Sequence, residues 1–281
     1  MHPDRASAGV VISTYNRPRA LDLVLSGISA QSEGPAEVLI ADDGSTQETR
    51  KVVDSWRSLG LPIQHFWHED RGFRKARILN QAIANSKASI LIFLDGDCVP
   101  FESFVKDHLD YSEPGFVLAG RRILASREFT LNIENTNHFQ LQPGFLYWLR
   151  KRLQGQTNRW WPLARIRGHW WRKFRQRDWR ALRGCNFSAY RDDLIRINGF
   201  DQLMEGWGRE DSDLAVRLIN SNIGIKSLSF AAPVLHLWHK EESRSSLNRN
   251  DRYLSDSLSS GRTSAISGLH ESINHDSRFA R

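Results

Sequence analysis

Residues 89–97 read SILIFLDGD: five successive apolar side chains, Ile90 to Leu94, run into Asp95-Gly96-Asp97. A strand with no polar alternation has no face to give to water. It belongs in the interior of a sheet covered on both sides. Two carboxylates separated by one glycine at the end of such a strand can hold a hard divalent ion. Mg²⁺ or Mn²⁺, held by only one or two protein carboxylates, keeps coordination sites free for substrate phosphates. Taken alone, an acidic turn would read the same way.

Working outward, the same unit recurs. GVVIST (9–14) is a β-branched run followed by Asn16-Arg17-Pro18, where proline can open a helix over 19–31. AEVLIA (36–41) ends in Asp42-Asp43-Gly44-Ser45 and leads into a helical pattern over 46–59. A strand over 63–67 and a helix over 73–85 complete the series. Continuous apolar strands alternating with helices predict an α/β domain with a Rossmann-like, mostly parallel sheet and helices on both faces. In such sheets ligands bind outside the carboxyl ends of the strands. Three of those ends carry Thr14-Tyr15-Asn16, Asp42-Asp43 and Asp95-Gly96-Asp97. No GxGxxG follows the first strand and no GxxxxGK[ST] occurs, so dinucleotide and P-loop readings lose their main support.

Beyond Pro100 a helix over 101–111, a strand over 116–120, a strand over 185–190, an amphipathic helix over 210–220 and a strand over 231–237 are expected. From Lys240 the chain is polar and serine-rich. Tyr253, Leu254, Leu258, Ile266 and Leu269 recur at roughly helical spacing there and predict a helix packed across the body. This gives one domain in two halves, 1–100 and 101–239, with a polar segment over 240–281.

The chain has 281 residues, 40% hydrophobic and 25% charged, enough for a real core. Its formal charge of +7 is not evenly spread. Residues 146–183 hold twelve Lys and Arg against one acid, Asp178, so the other 27 bases and 31 acids leave the rest of the chain net negative. The same segment, within an insertion that begins near Asn132, carries six of the ten tryptophans: Trp148, Trp160, Trp161, Trp170, Trp171 and Trp179. Such a mixture suits a polyanion with stacked bases or an anionic membrane surface. Two cysteines, Cys98 and Cys185, are too few for a disulfide framework and fit a reducing cytosol as small packing residues. The start MHPDRASAGVV lacks a signal h-region, and no apolar run approaches the ~18 residues of a membrane span. A cytoplasmic protein, peripheral on the inner face of the plasma membrane, is the expectation.

Asp42-Asp43-Gly44-Ser45 admits two readings: an Asx-type turn with Gly44 at positive φ, or an acceptor for a uracil imide or a ribose hydroxyl. His65 and His68 beside Trp67 read as strand and loop residues.

In order, VVISTYNRP (10–18), VLIADDGS (38–45), EDRGFRKARILNQAI (69–83), FLDGDCVP (93–100) and GWGREDSDLAVR (206–217) resemble the motifs of family 2 glycosyltransferases of the GT-A fold. The last block is similar to the carboxyl-terminal motif shared by β-1,4-galactosyltransferases and bacterial chondroitin-type polymerases. The resemblance implies that Ser13, Thr14 and Tyr15 line the base pocket and that Asp42 accepts from the base. It further implies that Arg74 or Arg77 reaches the base or diphosphate, that Asp95 meets ribose or metal, and that Asp97 ligates Mn²⁺ or Mg²⁺. Related enzymes add a histidine to the metal from the region of VLHLWHKEE, which offers His236 and His239.

On the acceptor side, Trp207 between two glycines offers a flat apolar face to a sugar. Glu210 and Asp211 open a helix whose dipole favours their ionised form. By family position Asp211 is the base and Glu210 an acceptor ligand. The dipole lowers basicity, so proton removal must come late, as the acceptor hydroxyl becomes acidic in the attack. Asp213 and Arg217, four apart, form a supporting ion pair. Arg209 stands where the galactosyltransferase motif has glycine, which leaves donor and acceptor identity open.

The resemblance implies transfer of a sugar from a nucleotide diphosphate donor, UDP-linked by expectation, to a hydroxyl of a cell-envelope glycan, with inversion. The 146–183 segment would then dock the enzyme on anionic lipid or bind acceptor phosphates. Two other classes fit parts of the chain. A nucleic-acid-binding module would use the basic aromatic segment, bind in a steeply salt-dependent way and not need Asp97. A silent nucleotide-sugar-binding protein would keep the base pocket without turnover. The joint presence of Asp97 and Asp211 favours the enzyme, with no nucleic acid as partner.

Overall fold

The computed structural model describes residues 6–136, 141, 144–160, 164–166, 168–240 and 244–271. Trp161 and residues 272–281 of the polar carboxyl-terminal segment lie outside them.

The amino-terminal half follows the predicted βα rhythm. Strand β1 (Ala8–Thr14) precedes helix α1 (Pro18–Ser29), β2 (Glu37–Asp42) precedes α2 (Gln47–Ser58), β3 (Ile63–Trp67) precedes α3 (Lys75–Asn85), and β4 (Ile90–Asp95) closes the series. These four strands run parallel in the order β3-β2-β1-β4. Pleating sends successive side chains to opposite faces and so builds two cores. Val10, Ile12, Val38, Ile40, Ile90, Ile92 and Leu94 join Leu21, Val24, Leu25 and Ile28 of α1 on one face. Val11, Leu39, Ala41, Leu91 and Phe93 join Ile78, Leu79, Ala82 and Ile83 of α3 on the other. Burying each of these aliphatic side chains contributes roughly 1.5–3 kcal/mol before the entropy of ordering the chain is subtracted.

The second half departs from a simple parallel continuation. After β5 (Cys98–Pro100), α4 (Phe104–Tyr111), β6 (Phe116–Ala119), β7 (Arg122–Leu124), α5 (Arg127–Glu134) and α6 (Phe145–Leu153), strand β8 (Asn186–Tyr190) inserts antiparallel between β4 and β6. Phe187 of β8 stacks on Phe93 of β4 at 4.4 Å between ring centroids. The short helix α7 (Arg191–Arg196), helix α8 (Glu210–Asn220) and strand β9 (Gly224–Ser227) follow, and β9 extends the large sheet to β3-β2-β1-β4-β8-β6-β9. Strand β10 (Val234–His236) lies between β5 and β7 in a small second sheet, antiparallel to β5 and parallel to β7. That pairing sets His236 opposite Cys98, next to the aspartates that end β4.

Two expectations need correction. The carboxyl-terminal helix, α9 (Leu247–Ser260), stops before Ile266 and Leu269. Leu254 packs inward, whereas Leu258 and Ile266 are exposed; Leu269 is fully buried on a separate turn of chain. Nor are all the tryptophans and basic residues of the 146–183 segment available to a lipid surface or an acceptor. Trp148 of α6 is fully buried against Phe101 and Phe129, and so cannot reach a lipid headgroup. Arg172, 1% exposed, donates to the carbonyls of Gly168, Ile166, Ser227 and Ser229 and lies over the Tyr111 and Trp171 rings. Part of the segment's charge and aromatic content therefore fastens it to the body.

Candidate active site

At the carboxyl ends of β1 and β4 a cleft of about 950 Å³ opens, lined on one side by Ser13, Thr14, Tyr15, Asp95 and Asp97 and on the other by Trp207, Glu210 and Asp211. His236 and His239 also reach it. Residues more than two hundred positions apart in the chain, such as Ser13 and His239, thus meet in one concavity.

Close approach of the strand ends explains the glycine between the two aspartates. Gly96 N–H donates to Ser13 O at 2.7 Å, and a Cβ at Gly96 would sit 2.8 Å from the same oxygen. Ser13 Oγ donates to Asp95 Oδ1 at 2.9 Å, and Lys75 Nζ pairs with that oxygen at 2.6 Å. Burial works against the charge of Asp95, but Lys75 and the Ser13 hydroxyl outweigh it and hold its pKa below the ordinary carboxylate range. Lys75 is itself desolvated, and the attraction of Asp95, Glu210 and Asp211 more than compensates, keeping it an ammonium.

Asp97 gathers several groups. Arg17 Nη1 lies 3.2 Å from Oδ2, His239 Nε2 3.3 Å from Oδ2, and His236 Nε2 3.7 Å from Oδ1. Arg17 is further fixed by Glu134 at 3.1 Å and by the carbonyl of Trp238. Burial lowers the His236 pKa against the pull of Asp97, favouring the neutral imidazole that can ligate metal. His239 Nδ1 is 2.8 Å from Lys240 O, so it is the donor there, and in the neutral ring Nε2 keeps a lone pair facing a carboxylate oxygen. Asp97 oxygens with two imidazole nitrogens at 3.3 and 3.7 Å make an oxygen and nitrogen donor set that fits a divalent cation. Cys98 Sγ lies within 4.8 Å of the Asp97 and His236 donors, but burial pushes its thiol pKa well up. A protonated thiol is a poor ligand for a hard ion.

The β2 end differs from expectation. Asp42 is 1% exposed and accepts from Ser45 N–H at 2.8 Å, and its Oδ2 lies 3.0 Å from His65 Nε2; it is not part of the cleft lining. The neighbouring Asp43 is, with its two oxygens contacting His68 Nε2 at 2.6 Å and Arg74 N–H at 2.9 Å. Gly44, at φ 98°, lets Asp70 close over this turn: a Cβ there would lie 2.6 Å from Asp70 Cα. Tyr15 donates its hydroxyl to Asp70 at 2.8 Å on the same rim.

Arg74 and Arg77 also leave the cleft and line a small separate pocket with Met204 and Glu205. Because α3 begins at Lys75, it is Lys75 that points toward the strand ends. Lys75, Arg17, Arg122, Arg183 and Trp238 line the cleft without having been singled out from the sequence, and of the Asp42-Asp43 pair it is Asp43, not the expected Asp42, that does so. For Lys75, Arg17 and Asp43 the signal, a base or acid adjacent to a motif residue, was present, but the facing of each side chain was not.

At the other wall Asp211 Oδ2 accepts from Gly184 N–H at 2.8 Å and Oδ1 from Ser212 Oγ at 3.2 Å. Burial and the charge of Asp211 raise the Glu210 pKa to about 7, and Glu210 Oε2 is buried with no hydrogen-bond partner. Thr14 Oγ1 is in the same condition on the facing wall. Trp207 and Trp238 stand partly exposed in the lining, at 38% and 42%. Arg209 adopts φ 80°, a left-handed conformation that glycine enters freely, and its Nε meets Asp251 of α9 at 2.6 Å. The Asp213–Arg217 pair, 2.7 Å apart, is sealed from solvent, and Ser257 of α9 donates to Asp213.

With this geometry in hand, comparisons place the chain among known proteins. Residues 9–182 match the profile described as glycosyl transferase family 2, and residues 171–240 that described as the N-terminal domain of galactosyltransferase. A validoxylamine A glucosyltransferase of Streptomyces hygroscopicus subsp. limoneus is 30% identical over 263 residues, covering 87% of this chain and 55% of that protein. A chondroitin synthase of Pasteurella multocida (strain Pm70) is 27% identical over 227 residues, 74% of this chain and 22% of the relative. The chain thus spans little more than half the length of the first of these and a smaller share of the second. Among solved structures, S. aureus TarS 1–349 in complex with UDP-GlcNAc superposes with a TM-score of 0.64 at 16% identity, over 95% of this chain and 69% of that one. A mannosyltransferase from Pyrobaculum calidifontis in complex with GDP-Man and Mn²⁺ gives 0.57 at 18% identity, over 85% and 59%. At these identities the likeness is one of fold, the GT-A arrangement expected from the sequence.

Proposed function

The chain belongs to glycosyl transferase family 2, and from that membership we propose that it transfers a sugar from a nucleotide diphosphate donor to a hydroxyl of a glycan acceptor. The observation that carries this reading is the single cleft shared by Asp95, Asp97, His236 and His239 on one wall and Trp207, Glu210 and Asp211 on the other. Ser13, Thr14 and Tyr15 bind the nucleoside; Asp43 takes the role first expected of Asp42, because its carboxylate is the one that lines the cleft. The unpaired Thr14 Oγ1 and Glu210 Oε2 supply hydrogen bonds to donor and acceptor respectively.

Asp97, with His236 or His239 beside it, would hold a divalent ion, Mn²⁺ or Mg²⁺, and such an ion would supply positive charge to offset that of the departing diphosphate. Lys75 keeps Asp95 ionised and in place. Asp211 takes the proton of the acceptor hydroxyl as its oxygen attacks the anomeric carbon opposite the leaving group, so configuration inverts. Gly184 and Ser212 orient the Asp211 oxygens for that transfer. Trp207 stacks against the acceptor ring.

No described helix is long and apolar enough to cross a membrane. Leu146, Leu153, Trp170 and Phe174 are each more than 70% exposed on the basic segment, which supports peripheral docking on an anionic, cytoplasm-facing bilayer. The test of the reaction is incubation with Mn²⁺ and a panel of UDP-, GDP- and dTDP-sugars, following sugar release and transfer. Wild type is expected to consume one nucleotide class. Asp211→Asn is expected to lose transfer by about a hundredfold or more while still binding the donor; full activity in that variant overturns the assignment.

A further inference from the structure

The cations lining the cleft are not equally occupied. Arg17 pairs with Asp97 and Glu134, Lys75 with Asp95, and Arg209 with Asp251. Arg122 and Arg183 also line it and form no ion pair among the described residues; Arg122 Nη1 reaches the thiol of Cys185 at 3.6 Å and feels the charge of Asp95 only at longer range. Their placement is specific. Arg183 directly precedes Gly184, whose N–H holds Asp211, and the Cys185 that Arg122 touches directly follows it. Two guanidiniums therefore flank the residue that positions the candidate base, and Arg122 also lies near enough to Asp95 and His236 for their charges to act on one another.

The positive field there is reinforced from behind. Burial, then the charges of Arg159 and Arg183, depress the Arg121 pKa, against a weaker opposing pull from Asp178. On the same wall, Arg244 stands 5.7 Å above the ring of Trp207. A guanidinium offers paired N–H groups that match carboxylate and phosphate oxygens, and it binds them more strongly than neutral hydroxyls.

Resting on the glycosyltransferase reading, we propose that the acceptor is an anionic saccharide whose oxyanion is received by Arg122 and Arg183 beside the Gly184–Asp211 contact. The anion, a carboxylate or a phosphate, lies close to the hydroxyl being glycosylated and aims that hydroxyl at Asp211. Trp207 supports the apolar face of the same sugar. Neutral sugars of the same shape fill the subsite but leave the two arginines without a counter-charge.

The experiment measures binding, so it does not depend on turnover. Affinities of the full chain for methyl glucoside, methyl glucuronide and methyl glucoside 6-phosphate are compared by ligand-observed NMR at low and high salt, for wild type, Arg183→Gln and Arg122→Gln. Wild type is expected to bind an anionic form about tenfold or more tightly than the neutral one, with the advantage shrinking in salt. The carboxylate and phosphate arms identify which anion is meant. Either variant is expected to bring the anionic-to-neutral ratio toward one, and to lose more affinity for the anionic sugar than for UDP. Equal binding of charged and neutral sugars, binding of none of them, or variants that lose UDP and spare the sugars would overturn the proposal. If the preference holds but no nucleotide sugar is consumed under any condition, the transferase reading fails and the anionic subsite stands.

Discussion

Burial and the adjacent Asp211 hold Glu210 protonated to about pH 7, well above an ordinary glutamate. An acid whose folded pKa is raised binds more protons in the native than in the unfolded state between about pH 4.5 and 7. Stability therefore falls as pH rises through that window and levels off above it. Glu210→Gln removes the titration, so its melting temperature relative to wild type should be higher at pH 8 than at pH 5. An offset that does not change with pH would contradict the burial described for this carboxyl. At this scale the sequence was most informative about residue type and least about facing. Asp42-Asp43 and Arg74-Lys75 show why: in each pair two similar side chains are adjacent, and a rotation of one residue decides which of them lines the cleft. That rotation is fixed by tertiary pairing, Asp42 with His65 and Lys75 with Asp95, which no local pattern displays.

Elements divide by how they announce themselves. Strands β1, β2 and β4 were legible because a strand buried on both faces must be apolar throughout. Strand β10 falls within the stretch expected as a strand over 231–237, but its partners β5 and β7 have three residues each, too short for any periodicity, and it is their pairing that brings His236 next to Asp97. The antiparallel direction of β8 was equally hidden, since a fully buried strand reads the same both ways. Helix α6 was concealed by the basic composition around it. Its anchor is Trp148, fully buried with its ring 5.3 Å from that of Phe101. Trp148→Ala should cost about 3–5 kcal/mol in urea unfolding, as expected for emptying a large aromatic site. A loss below about 1 kcal/mol would mean that α6 is held by its surface charges instead.

For the whole molecule, charge is arranged by function of place: a net-negative body carries the cleft carboxylates, and a basic segment carries exposed apolar side chains. If that segment docks on lipid, the protein should co-sediment with phosphatidylserine-containing vesicles, not with neutral ones, and release as salt rises over a Debye-length change of a few ångströms. Replacing Leu146, Leu153, Trp170 and Phe174 with serine should abolish the association while leaving nucleotide binding intact. Unchanged co-sedimentation would separate the basic segment from membranes altogether.

The cleft itself is the point on which function depends. Its two walls are expected to have separable duties, donor and cation at Asp97, proton transfer at Asp211. Calorimetric titration of UDP in the presence of Mn²⁺ into wild type, Asp97→Asn and Asp211→Asn separates them directly. Asp211→Asn should bind as wild type does, and Asp97→Asn should bind at least about tenfold more weakly, the loss expected for one charged contact. Equal affinity in all three proteins would contradict a nucleotide-diphosphate site at Asp97.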